Sequence, residues 1–311
     1  SSFCNICKII ALRIRMAKVS VFGGGAWGRA LCFAFGEKNQ AGIISRRNLD
    51  CAYQISLQEA QDSDFFVVAI CSSALEEWLK DCPIPQDSKV LVASKGVAKG
   101  LFVSEIFEKF YPKATLSFLA GPSFAKEVAQ SLPCALNVHS NKLENAQEWL
   151  GLFPSFIKPY ANCDVMGGEI GGAYKNVIAI ASGICEGMGL GNNGRASLVA
   201  RGLVEMTRFG KFFGAEEETF LGLSGAGDLF LTANSTLSRN FRVGLGLAQN
   251  KALDEILESL GEVAEGVETS KEIYALAQKN DIYTPIAKEV ALIMGGKNPK
   301  ESLLDLMKRM G

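Results

Sequence analysis

The sequence holds a single histidine, His139, among 311 residues. Histidine is the usual side chain for proton transfer at neutral pH and the commonest metal ligand. Acid–base chemistry here therefore falls to another residue type unless His139 carries it. Charge of one sign is also missing, since 32 basic and 33 acidic residues leave a formal net charge of −1. That balance gives no electrostatic footprint for nucleic acid or an anionic membrane, although it is compatible with a local basic pocket. Near the N-terminus the apolar run Ile9–Leu12 is too short and interrupted for a membrane span, and no small-residue cleavage site follows it. Nine cysteines occur without the spacing of a disulfide framework. Cys4 and Cys7 make one isolated C-x-x-C, and zinc would need further ligands. The expectation is reduced thiols in a cytoplasmic protein, with no metal.

Hydrophobic residues make up 48% of the chain and charged residues 21%, enough for a sizeable core. Residues 1–15 precede Met16 and read as a leader, or as residues added upstream of the natural start. From Lys18 onward, short apolar runs alternate with helix-length amphipathic segments. The predicted strands are Val19–Phe22, Ile43–Ser45, Phe65–Ile70, Lys89–Ala93, Leu116–Ala120 and Ala135–Val138. Helical spacing appears at Ala26–Gly36, Leu75–Lys80, Val103–Phe110, Phe124–Gln130 and Glu144–Leu150. After about Asp164 long helical patterns take over, at Gly168–Gly187, Ala196–Phe213, Arg239–Gln249, Ser270–Lys279 and Thr284–Met294. The expected fold is an α/β N-terminal domain with a Rossmann-like parallel sheet, residues 16–164, and an all-α C-terminal domain, residues 165–311. A cleft between the two is the natural place for an active site.

Gly23-Gly24-Gly25-Ala26-Trp27-Gly28 fits G-x-G-x-x-G, between an apolar strand and a helical segment. Gly23 permits the tight turn, Gly25 lets a pyrophosphate approach the backbone, and Gly28 allows close helix packing. Ser45-Arg46-Arg47 follows strand two where an acidic residue would bind the ribose 2′-hydroxyl. Arginine there suits a 2′-phosphate, so NADPH should bind at least as well as NADH. Solvated surface positions for Arg46 and Arg47 are the plainer reading.

Four further clusters stand out. Ser94-Lys95-Gly96 ends a strand, where a lysine can project into a cleft or simply lie exposed. Gly121-Pro122-Ser123-Phe124-Ala125 starts a helix, for which Ser123 is a candidate N-cap. Gly168, Gly172, Lys175, Ala179 and Ser182 share one helix face, in a glycine-rich stretch that helix propensity does not explain. A lysine desolvated there could exchange a proton near neutral pH, or could sit at the edge of tight helix packing. The fourth is Gly222-Leu223-Ser224-Gly225-Ala226-Gly227-Asp228-Leu229, followed by Ser238-Arg239-Asn240-Phe241 at a helix start. Asp228 could cap a helix, and Ser238, Arg239 and Asn240 suit a phosphate dianion or an ordinary capped surface helix. His139 lies at a strand end outside every cluster.

Taken in order, these stretches resemble the bacterial-type NAD(P)-dependent glycerol-3-phosphate dehydrogenases. The matching segments are GGGAWG at Gly23–Gly28, SKG at Ser94–Gly96, GPSFAKE at Gly121–Glu127, GGAYKNVIAIASG at Gly171–Gly183, GAGDL at Gly225–Leu229, SRN at Ser238–Asn240 and VAEGVET at Val263–Thr269. The likeness runs from about Lys18 to about Lys308. It implies reversible conversion of dihydroxyacetone phosphate and a reduced nicotinamide into sn-glycerol 3-phosphate, a phospholipid precursor, by a cytoplasmic homodimer.

By this resemblance Lys175 is the general acid/base, and Lys95 and Asp228 orient it and the substrate. Gly121 and Ser123 match substrate contacts. Ser238, Arg239 and Asn240 match the phosphate end, where Arg239 also meets cofactor. Lys95, Ala125, Val263 and Glu265 match cofactor positions, and Ala26 and Trp27 belong to the phosphate loop. The family usually has a longer, proline-rich connection after strand two, where only Asn48–Asp64 stands here, so no contact is assigned to Tyr53. The alternatives are a β-hydroxyacid or 6-phosphogluconate-type dehydrogenase, against which the SRN segment argues, and a non-catalytic nicotinamide sensor.

Overall fold

A computed structural model describes residues 16–261 and 265–308. Residues 1–15 and the cofactor candidate Val263 lie outside the described residues.

Short apolar runs without alternation become strands buried on both faces of a sheet. β1 (Lys18–Phe22), β3 (Phe65–Val68), β4 (Lys89–Val92) and β7 (Leu116–Ala120) are such runs, buried beyond their first residues. With β2 (Gln40–Ile44) at one edge they run parallel in the order β2–β1–β3–β4–β7. Helices α1 (Ala26–Gly36), α2 (Leu57–Ala60), α3 (Ser72–Lys80) and α4 (Val103–Glu108) lie in the crossovers.

The far side of the sheet departs from the wholly parallel expectation. β8 (Cys134–His139) is antiparallel to β7, and β9 (Ile157–Asn162) is parallel to β8 and closes the edge. The only helix between β7 and β8 is the one-turn α5 (Ala125–Val128), far shorter than the helix that usually carries a parallel crossover. α6 (Leu143–Leu150) links β8 to β9. A small hairpin of β5 (Val97–Ala98) and β6 (Leu101–Phe102) follows Gly96. Neither β9 nor this hairpin is among the expected strands.

Beyond β9 the described chain is helical. α7 (Val165–Gly187) and α8 (Gly191–Phe212) are the long members. Asp164 starts α7 three residues earlier than its glycine pattern indicates, by accepting from the Gly167 amide at 2.8 Å. α9 (Glu217–Leu221) leads into a π-helical turn, Leu223–Gly227, and then α10 (Asp228–Ala233). α11 (Arg239–Ala248), α12 (Leu253–Leu260), α13 (Glu265–Lys279), α14 (Pro285–Met294) and α15 (Pro299–Lys308) complete the order.

One apolar core lies on each face of the sheet, and a third gathers α7 with the helices around it. The β5–β6 hairpin joins this third core through Val97 and Phe102, tying sheet to helices. The glycines of α7 explain its central place. A Cβ at Gly171 would strike the Ser224 carbonyl, and one at Gly183 the Phe241 carbonyl, so neighbouring backbones come closer than any side chain permits.

Candidate functional site

A crevice is expected at the carboxyl ends of β1 and β3, because the strand order reverses there. Gly23 leaves β1 with φ 122°, and a Cβ on it would collide with the Ala69 carbonyl after β3. Gly25 is the exposed N-cap of α1, and a Cβ there would meet nothing within 4 Å. No side chain caps α1, and its first turn holds no acidic residue. An open, uncapped helix start beside a crevice fits a dinucleotide pyrophosphate. Gly28 packs against the Gly23 carbonyl, and the half-buried Trp27 against the sheet core, its indole Nε1 without a partner among the described residues. The Ser45 side chain lies on Gly24, which brings the end of β2 to this loop, and Arg46 and Arg47 follow, both exposed.

The centre of the site is an ion cluster from three segments. Lys95 follows β4, Lys175 projects from the middle of α7, and Asp228 opens α10 after the π-turn. Lys175 Nζ donates to Asp228 Oδ1 at 2.5 Å, and Lys95 Nζ donates to Oδ2 at 3.1 Å. Asp228 is 1% exposed, while the lysines keep 12% and 19% of their side-chain surface. Burial lowers the Lys175 pKa to about 8, with Lys95 pushing the same way and Asp228 opposing. Burial would raise the Asp228 carboxyl, but the two ammoniums outweigh it and hold it below its usual range. The aspartate bridges two cations, and the nearly buried Lys175 is poised to exchange a proton. Gly172 gives the Lys95 stem its place, since a Cβ there would lie 3.3 Å from Lys95 Cδ.

Ser238 caps α11 by accepting from the Phe241 amide at 3.2 Å. Asn240 Nδ2 donates to Asn176 Oδ1 at 2.9 Å, joining the SRN segment to the residue beside Lys175. Burial raises the Glu265 carboxyl, while the charges of Arg239, Lys95 and Lys175 pull it back, so these four side chains share one field. Gly96, with φ 118°, presses on Thr269 of α13 and Ser72 of α3. The GPSFAKE segment reaches the same place from β7: Pro122 packs beside Gly227, next to Asp228. Gly121, at φ 129°, lies against β8, and the half-buried Ala125 packs on the sheet core that α1 covers.

Two expectations need correction. Ser123 does not cap α5; Phe124 is the N-cap, and Ser123 Oγ donates to the Gly121 carbonyl at 3.2 Å. His139 is not outside the clusters. It is buried, its Nε2 lies 2.7 Å from Ser224 Oγ, and a Cβ on Gly168 would come within 2.5 Å of its ring. Burial drops its pKa to about 4 against the pull of Asp164, so it is uncharged at neutral pH. Asn137 also joins the site without having been singled out, while Asn176 and Ser224 do so as members of the glycine-rich clusters. The two-residue spacing of Asn137 and His139 puts both on one strand face, but it does not say what that face meets.

Two family models match the sequence, the NAD-dependent glycerol-3-phosphate dehydrogenase N-terminus over residues 42–146 and its C-terminus over 164–305. A glycerol-3-phosphate dehydrogenase (NAD(P)+) of Wolinella succinogenes is 60% identical over 291 residues, spanning 93% of this chain and 98% of that protein. The chain belongs to the NAD-dependent glycerol-3-phosphate dehydrogenase family. The Helicobacter hepaticus protein of the same name is 58% identical over 310 residues, 94% of this chain and all of that protein. A crystal structure of glycerol-3-phosphate dehydrogenase from Coxiella burnetii superposes with a TM-score of 0.87 at 28% identity, covering 94% of this chain and 99% of that one. In this dehydrogenase the short connection after β2 is ordered by Ser56 and Glu59, which cap α2 reciprocally, and by Gln54, bridged to Ile43.

Proposed function

We propose that this dehydrogenase interconverts dihydroxyacetone phosphate and sn-glycerol 3-phosphate with NADPH or NADH, supplying glycerol phosphate for phospholipid synthesis. The observation that carries the mechanism is the Lys95–Asp228–Lys175 cluster, with a phosphate-compatible helix start beside it. A bound reduced nicotinamide supplies the hydride. Lys175 gives its proton to the C2 oxygen and takes it back in the reverse direction, a role suited to a pKa of about 8. Asp228 orients Lys175 and Lys95, and the two ammoniums stabilise negative charge developing on that oxygen. Arg239, with Ser238, Asn240 and the α11 amides, holds the substrate phosphate. Gly121 and Ser123 line the substrate side.

The Gly23–Gly28 loop receives the pyrophosphate, with Ala26 and Trp27 in contact, and Arg46 and Arg47 receive a 2′-phosphate. Lys95, Ala125, Arg239, Val263 and Glu265 complete the cofactor side. Residues 16–164 act as the cofactor domain and 165–311 as the substrate domain, in a cytoplasmic homodimer. Among the described residues no helix is long and apolar enough to cross a membrane.

The test is loss of NADPH absorbance on adding dihydroxyacetone phosphate, repeated with NADH and with unphosphorylated dihydroxyacetone. Rapid oxidation that requires the phosphate is expected. No oxidation by folded, NADPH-binding protein would overturn the proposal.

A further inference from the structure

The π-turn before Asp228 is held from below by two side chains of β8. Asn137 Nδ2 donates to Ser224 Oγ at 2.9 Å, and His139 Nε2 lies 2.7 Å from the same oxygen. Ser224 is fully buried. Its hydroxyl accepts from Asn137 and pairs with His139 Nε2, so one oxygen ties both β8 side chains to the turn. A residue held neutral by burial can keep this pattern across the ordinary pH range.

The same imidazole lies on Gly168, two helical turns before Lys175 on the same face of α7. Gly171, one turn before Lys175, presses on the Ser224 carbonyl. Strand, catalytic helix and π-turn therefore meet at Ser224, four residues before Asp228. We propose that Asn137, His139 and Ser224 form a positioning device that sets the Asp228 carboxylate between Lys95 and Lys175. Lys95 belongs to the sheet and Lys175 to the helices, so a carboxylate bridging them must be fixed relative to both. The β8 side chains supply the link to the sheet, and the glycine face of α7 supplies the link to the helix. This inference rests on the proposed role of Lys175.

The test compares Ser224→Ala and Asn137→Ala, which attack one hydroxyl from its two sides, in full-length enzyme. Steady-state rates with dihydroxyacetone phosphate are measured from pH 6 to 10, alongside the NADPH dissociation constant. A carboxylate released from its setting gives Lys175 less support for its charge. The expected result is a fall in kcat of about tenfold or more, unchanged NADPH affinity, and a basic limb moved to lower pH. Should Ser224→Ala not fold, the half-buried Asn137 carries the comparison. A wild-type pH profile in either folded variant overturns the inference, whatever the rate, because a merely structural role leaves that limb in place. If Lys175→Ala also keeps normal turnover, the proposed mechanism fails instead, and the two failures are distinct.

Discussion

Lys175 and Asp228 meet at 2.5 Å although 53 residues separate them in sequence. The contact exists because α7 and the π-turn approach backbone to backbone at Gly171, which puts a helix-borne ammonium within reach of a buried carboxylate. Breaking a buried pair leaves the surviving charge without compensation, so each partner's removal has a distinct signature.

The first expectation concerns pH. In the proposed mechanism Lys175 must be protonated to reduce the carbonyl and neutral to oxidise the alcohol. With its pKa lowered to about 8 by burial, reduction should be level below that pH and decline above it, while oxidation should rise through the same range. Rate profiles in both directions, with inflections in opposite senses, check this.

Asp228→Asn should strip both lysines of their counter-charge. Turnover should fall by about a hundredfold or more, and the basic limb of reduction should move to lower pH because the group opposing burial at Lys175 is gone. Steady-state kinetics across pH provide the measurement.

Arg46→Ala together with Arg47→Ala should raise KM for NADPH by about tenfold, the worth of a lost charge-assisted contact, while leaving KM for NADH nearly unchanged. Equal loss with both cofactors would place these arginines away from the 2′-phosphate.

Arg239→Ala should raise KM for dihydroxyacetone phosphate more than it weakens cofactor binding. Substrate-saturation curves at fixed NADPH, beside direct cofactor titration, separate the two effects.

Glu169 gives a stability expectation outside the reaction. Burial raises its carboxyl to about 7, against hydrogen bonds from the Ser104 amide and hydroxyl. The unfolded chain holds that proton less tightly, so stability from this group is complete below the unfolded value and is lost as pH rises through about 7. Thermal melts should show Tm falling between pH 5 and 8 in the wild type, and a flatter course in Glu169→Gln.

Much of the architecture is legible in the sequence because both-face burial leaves an unmistakable mark. FFVV at Phe65–Val68 and LSFLA at Leu116–Ala120 can be little else than central strands. Strand direction leaves no such mark, so β8 reads as one more parallel strand. β9 is hidden by Pro159, which an edge strand tolerates and a central one does not, and by the polar residues around it. In the site, Lys175 and Asp228 are visible through the glycines that let backbones close around them. Asn137 and His139 are not, because their meaning depends on Ser224, 87 and 85 residues away. Periodicity reports which face a residue occupies, and only the assembled fold reports what it faces.

The most direct measurement is NADPH oxidation by dihydroxyacetone phosphate, in wild type and in Lys175→Ala, with cofactor binding titrated in parallel. Rapid phosphate-dependent oxidation by the wild type, and loss of turnover in the variant with NADPH binding intact, is the expected result. Near-normal turnover without Lys175 would contradict its place as the proton donor.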